Sequence, residues 1–149
     1  MIICSEQKMK SFGANLINSS ETPGIITLNG DLGTGKTTIV RGALEACGIT
    51  GGVRSPTYTL VEYYELEGFS IAHFDLYRLG DPEELEYLGY RDYLQSDTWC
   101  FIEWPERAAG YLENIGLEIS IQYRDECRKL DGLAGNSWGQ QLKSSLNLI

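Results

Sequence analysis

The chain has 149 residues, 42% of them hydrophobic and 22% charged, and its 21 acidic against 12 basic side chains leave a net charge of -9. That length and composition describe one soluble domain able to bury roughly two-thirds of its unfolded surface without metal or disulfide staples. There is no apolar run of the roughly 18 residues a membrane helix needs, and the basic face of a direct nucleic-acid binder is missing: Glu62 to Glu106 holds 12 acidic residues and only Arg78 and Arg91 as bases.

The opening MIICSEQKMK carries no charged leader, apolar core and cleavage site, so a cytoplasmic chain is expected. Met9, Phe12, Leu16 and Ile17 recur at helical spacing, which predicts an amphipathic helix over residues 5–19, ending before the Pro23-Gly24 turn. GIITLNG, Gly24 to Gly30, is a β-branched run bounded by glycine, as in a strand covered on both faces. A helix follows from Lys36 to about Ala46.

After Gly51-Gly52 comes a loop, Arg54-Ser55-Pro56-Thr57-Tyr58-Thr59, rich in hydroxyls and suited to a switch that senses a γ-phosphate. TYTLVEYYEL and FSIAHFDL then predict an antiparallel pair joined at Glu67-Gly68. Asp81-Pro82 caps a short acidic helix, and a second helical piece runs from Tyr90 to Gln95 before the strand WCFIE, Trp99 to Glu103, which Pro105 stops.

Ile115, Leu117, Ile119, Ile121 and Tyr123 alternate with smaller or polar residues, the period of a strand with one wet face. Arg128 to Leu133 is a candidate edge strand, and Ser137 is the expected cap of a last helix with Trp138, Leu142 and Leu146 on its core side. Cys4, Cys47, Cys100 and Cys127 lie far apart with no CxxC pair, and His73 is the single histidine. The expectation is four reduced thiols and no zinc site.

GDLGTGKT, Gly30 to Thr37, meets G-x-x-x-x-G-K-[ST] at every required position, and it stands between a predicted strand and a predicted helix, as a phosphate loop must. Leu32, Gly33, Thr34, Gly35, Lys36, Thr37 and Thr38 are the expected nucleotide contacts: backbone N–H groups and the helix dipole face the phosphates. Lys36 adds a cation for the β and γ phosphates, and the Thr37 hydroxyl is a ligand for Mg²⁺. A second Mg²⁺ contact usually comes from an acid ending a neighbouring apolar strand, and Asp75 and Glu103 both qualify. His73, between Ala72 and Phe74, reads first as a core side chain.

GDLGTGKTT from Gly30, SPTYTLVEYY from Ser55, HFDLYRL from His73, DPEELEYLGYRDY from Asp81 and IEWPER from Ile102 together resemble the TsaE family, small bacterial ATPases of tRNA threonylcarbamoyladenosine synthesis. The resemblance implies one P-loop NTPase domain over residues 1–149, a three-layer α/β/α sandwich on a mixed parallel and antiparallel sheet. It implies ATP and Mg²⁺ as cofactors, with Thr37 and Glu103 on the metal, Lys36, Asp75 and Glu103 in catalysis, and Trp104 associated with activity. Turnover would be weak alone and depend on TsaB and TsaD, which act on the tRNA adenosine beside the anticodon, so that tRNA is met only through that complex. Alone, the chain is expected to be a monomer. By the same resemblance Glu6 and the region of Arg128 approach the nucleotide base.

A small-molecule P-loop kinase is the competing reading, although arginines for a lid are scarce between Glu62 and Glu106. A GTPase is disfavoured because no NKxD occurs in the chain.

Overall fold

The computed structural model describes residues 1–51 and 60–149. The expected switch, Arg54 to Thr59, lies outside the described residues, as does the beginning of the strand expected from Thr57. In chain order the elements are β1 (Ile2–Ile3), α1 (Glu6–Asn18), β2 (Ile25–Asn29), α2 (Lys36–Ala46), β3 (Val61–Glu65), β4 (Ser70–Asp75), α3 (Glu84–Leu88), β5 (Thr98–Glu103), β6 (Leu117–Arg124), β7 (Cys127–Ala134) and α4 (Ser137–Ser145), with 3₁₀ turns at Tyr90–Tyr93 and Pro105–Ala108.

The strands form one sheet in the order β1-β7-β6-β2-β5-β4-β3. Its centre is parallel, β6 with β2, β2 with β5 and β5 with β4, while β3 and the β7 and β1 edge run antiparallel. β4 and β5 are buried along their whole lengths, as parallel strands covered on both faces should be. On one face Ile26, Leu28, Ile71, Trp99, Phe101, Leu117, Ile119 and Ile121 join a core with Phe12, Leu16, Ile39, Leu44 and Leu142, side chains of α1, α2 and α4. On the other face Ala72, Phe74, Cys100 and Ile102 pack with Leu85, Tyr90 and Ala108. The result is the expected three-layer α/β/α sandwich with a mixed sheet.

The helix carrying the phosphate loop is held by α1. A Cβ at Gly13 would lie 1.9 Å from the carbonyl oxygen of Ile39, so only glycine lets the two helices approach that closely. α1 opens at Ser5, whose hydroxyl accepts from the Lys8 N–H at 3.2 Å.

Two expectations are corrected, and one strand was not expected. The last helix is capped by Asn136, not Ser137: the Asn136 side-chain oxygen accepts from the Gly139 N–H at 2.9 Å, because the extended backbone of Asn136 aims that oxygen at the open first turn. β1 was not foreseen, since two residues carry no period. Cys4 and Cys127 are not reduced thiols but a disulfide. The antiparallel β1 and β7 register pairs Ile3 with Arg128 and brings Cys4 beside Cys127 across 123 residues of sequence. Cys47 and Cys100 are free, and burial pushes the Cys100 thiol up to about 12.

Candidate nucleotide and metal site

Leu28 of β2 lies opposite Glu103 of β5, and Asp75 of β4 lies opposite Glu103 on the other side. Parallel register therefore ends all three strands at one level, where the loop from Asn29 leads into α2. Gly35 stands at the helix start with φ 107°, a left-handed conformation that favours glycine. No side chain caps that helix, so its first-turn N–H groups are left for a ligand.

The side chains from these strand ends converge on the helix. The Thr37 hydroxyl donates to Glu103, with Oε1 at 2.9 Å and Oε2 at 3.1 Å. Glu103 is only 2% exposed, and a carboxylate so deeply buried needs such donors. His73, fully buried on the same face of β4 as Asp75, is 2.8 Å from Glu103 Oε2 through its Nε2. Asp75 accepts the Tyr77 N–H at 3.1 Å.

Lys36 is folded back on its own loop, donating to the carbonyl oxygens of Gly30 and, at 2.9 Å, Asp31. Its ammonium also sits 4.2 Å from the centroid of the Trp104 ring. Burial lowers the Lys36 pKa, and Glu103, Asp75, Glu106 and Asp31 pull it the other way. Trp104 has φ 58°, in the left-handed region, immediately before Pro105. That turn sends its ring over Lys36 and against Tyr77, 5.0 Å between centroids.

Among the described residues, two of the cavities beside the loop reach the start of its helix. One, about 350 Å³, is lined by Leu32, Gly33, Gly35, Lys36, Thr37, Thr38, Asp75, Tyr77, Glu103 and Trp104. The other, about 310 Å³, is lined by Ile3, Cys4, Ser5, Glu6, Met9, Gly33, Thr34, Gly35, Thr38, Glu126 and Arg128. Over this second cavity Arg128 stacks on Tyr123 at 4.3 Å and reaches the Gly33 carbonyl at 3.4 Å, while the Tyr123 hydroxyl donates to the Leu32 carbonyl at 2.6 Å.

The family described as "Threonylcarbamoyl adenosine biosynthesis protein TsaE" matches residues 3–130. The chain belongs to the TsaE family. The protein named "tRNA threonylcarbamoyladenosine biosynthesis protein TsaE" from Haemophilus influenzae is 48% identical over 123 residues, 83% of this chain and 78% of that one. The same-named protein of Rickettsia felis is 35% identical over 138 residues, 92% of this chain and 80% of that one. The crystal structure of YdiB from Bacillus subtilis matches with a TM-score of 0.75 at 27% identity, covering 99% of this chain and 92% of that one. The likeness in fold thus extends beyond residue 130, through β7 and α4.

In this TsaE-family chain the residues expected from sequence fall into two groups. Leu32, Gly33, Gly35, Lys36, Thr37, Thr38, Asp75 and Glu103 share one cavity, and Glu6 lies across the loop in the other with Thr34 and Arg128. His73 is buried as the sequence suggested, and it also meets Glu103. Its signal was available: residues 73 and 75 point to the same face of one strand. Tyr77 carried no signal of its own, and Tyr123 was read only as part of an alternating strand, because a tyrosine that closes on a loop leaves no mark in spacing.

Proposed function

We propose that the protein is a Mg²⁺-dependent ATPase, the accessory subunit that acts with TsaB and TsaD in bacterial tRNA threonylcarbamoyladenosine synthesis. The single observation that carries the chemistry is the hydrogen bond from Thr37, at the start of the phosphate-loop helix, to Glu103, at the end of the neighbouring strand. The pathway is supported by family membership and by the names of the curated relatives.

The residues suit a hard cation. Asp75 and Glu103 both line a cavity whose loop is built for phosphate, and two carboxylates there would repel a bare triphosphate unless a divalent cation intervened. Among the described residues no three His, Cys, Asp or Glu side chains converge to cage a metal; Mg²⁺ usually takes only one or two protein ligands and shares the rest between phosphates and water. Thr37 would hold it by hydroxyl oxygen while its hydrogen stays on Glu103, and Glu103 would act directly or through water. A Mg²⁺ held there would supply positive charge against the triphosphate.

Lys36 does the rest of the phosphate binding. Its ammonium leaves the Gly30 and Asp31 carbonyls and takes up the β and γ oxygens, a stronger charge-assisted contact. The N–H groups of the Gly33 to Thr38 run hold the remaining oxygens, and Asp75, opposite Glu103 at the end of β4, is the second carboxylate for the reaction. Glu6 and Arg128 reach the base from the outer cavity.

The experiment is phosphate release from Mg²⁺·ATP by the purified protein, with and without TsaB, TsaD and tRNA. Slow release that rises with the partners is expected. Phosphate transfer to a metabolite, independent of them, would replace the reading with a small-molecule kinase.

A further inference from the structure

We propose that His73 is a positioning residue: its Nε2–H fixes the Glu103 carboxylate so that it can serve Mg²⁺ beside Thr37. The inference rests on the reading of Glu103 as the metal residue.

Glu103 is an acceptor at both oxygens, so the nitrogen 2.8 Å from Oε2 must carry the hydrogen. Thr37 has one hydroxyl hydrogen to share between Oε1 and Oε2, and it satisfies only one of them at a time. Without His73 the second oxygen of a carboxylate only 2% exposed would have no donor from this set. The group would then turn freely under the pull of Lys36, whose ammonium Glu103 favours most among its neighbouring acids.

The other ring nitrogen points to the same conclusion. His73 is fully buried, and its Nδ1 has no hydrogen-bond partner among the described residues. A histidine kept only to pack a core would be expected to have both nitrogens satisfied, or to be replaced by an apolar side chain. Among the described residues its side chain keeps a single polar contact, and that contact is with Glu103. The register explains the reach: His73 lies opposite Phe101 on β5, and both side chains stand on the face that carries Glu103 two residues further along. An outer hydrogen-bond partner of a metal-binding side chain sets its orientation, and removing one typically weakens metal affinity by about 10–100-fold.

The test is Mg²⁺ titration of the full-length protein bound to a fluorescent non-hydrolysable ATP analogue, beside analogue affinity in excess chelator. His73→Leu should raise the half-saturating Mg²⁺ concentration by about tenfold or more and leave the metal-free affinity unchanged. His73→Gln, which carries an N–H near the position of Nε2, should restore the wild-type value, whereas His73→Asn, too short to reach, should not. Gln and Asn behaving alike would overturn the proposal, and that comparison decides it even if the Leu variant fails to fold. Glu103→Gln is the control. If it abolishes the Mg²⁺ response while His73→Leu leaves it intact, the positioning role is wrong and the metal site stands; if Glu103→Gln itself changes nothing, the metal reading falls and the proposal with it.

Discussion

The two cavities beside the phosphate loop are built in opposite ways. The inner one takes Lys36 and Thr37 from the loop motif and Asp75 and Glu103 from the ends of adjacent parallel strands. The outer one takes Cys4, Glu6 and Met9 from the beginning of the chain and Glu126 and Arg128 from near its end, and a two-residue strand and a disulfide hold these together. A site at the centre of a parallel sheet is fixed by the register that forms the core. A site at a short antiparallel edge depends on whatever staples that edge.

The largest effect is expected from cutting the Cys4–Cys127 staple. Cys4 is exposed and Cys127 half-buried, so a thiol reductant reaches them, and a bridge across 123 residues restricts the unfolded chain by up to about 5 kcal/mol. Reduction, or Cys4→Ser, should lower the Tm by on the order of 10 °C and weaken nucleotide binding through the outer cavity, while the Mg²⁺ response of the inner one persists. Thermal unfolding with and without reductant measures this, and coincident curves would remove the staple from the account.

On the inner side the largest loss is in chemistry. Glu103→Ala should keep or raise the metal-free nucleotide affinity, since it removes a repelling carboxylate and spares Lys36 and the loop N–H groups, yet cut hydrolysis by about 100-fold or more, the scale for removing one preorganised transition-state contact. Partner-stimulated phosphate release at the wild-type rate would transfer the metal role to Asp75.

Lys36→Ala should divide the other way. Losing a charge-assisted phosphate contact costs roughly 1.5–3 kcal/mol, about 10–150-fold in nucleotide affinity, read by calorimetry on a protein whose circular dichroism is native. A smaller effect follows from pH. Phosphate needs the charged ammonium, and burial lowers the pKa of Lys36 in the free protein, so affinity should start to fall with rising pH earlier than for a solvent-exposed lysine. Nucleotide affinity that stays flat up to the ordinary lysine value of 10.5 would mean the ammonium is not the contact.

The smallest expected effect is none. Neither cavity carries a basic stripe, and at a net charge of -9 the isolated protein should not bind tRNA measurably at physiological salt. Tight, salt-sensitive binding in a filter assay would reverse that.

Sequence alone was enough to mark most residues that line the inner cavity and the elements that carry them. A phosphate loop is read from glycine, lysine and hydroxyl at fixed spacing because backbone N–H groups must converge within one turn, and β2, β4 and β5 are read from apolar runs because strands covered on both faces tolerate nothing else. Those are local constraints, and they leave local marks: Lys36 and Thr37 stood out at once, and Asp75 and Glu103 could be proposed from the strand ends. Only tertiary structure decided that Glu103 is the acid hydrogen-bonded to Thr37, since that depends on which strand lies beside β2 and in what register. It decided that His73 faces Glu103 instead of merely filling the core, and that Cys4 meets Cys127. Each is a contact between residues at least 30 positions apart, and no periodicity along a chain encodes the distance between two points that folding brings together.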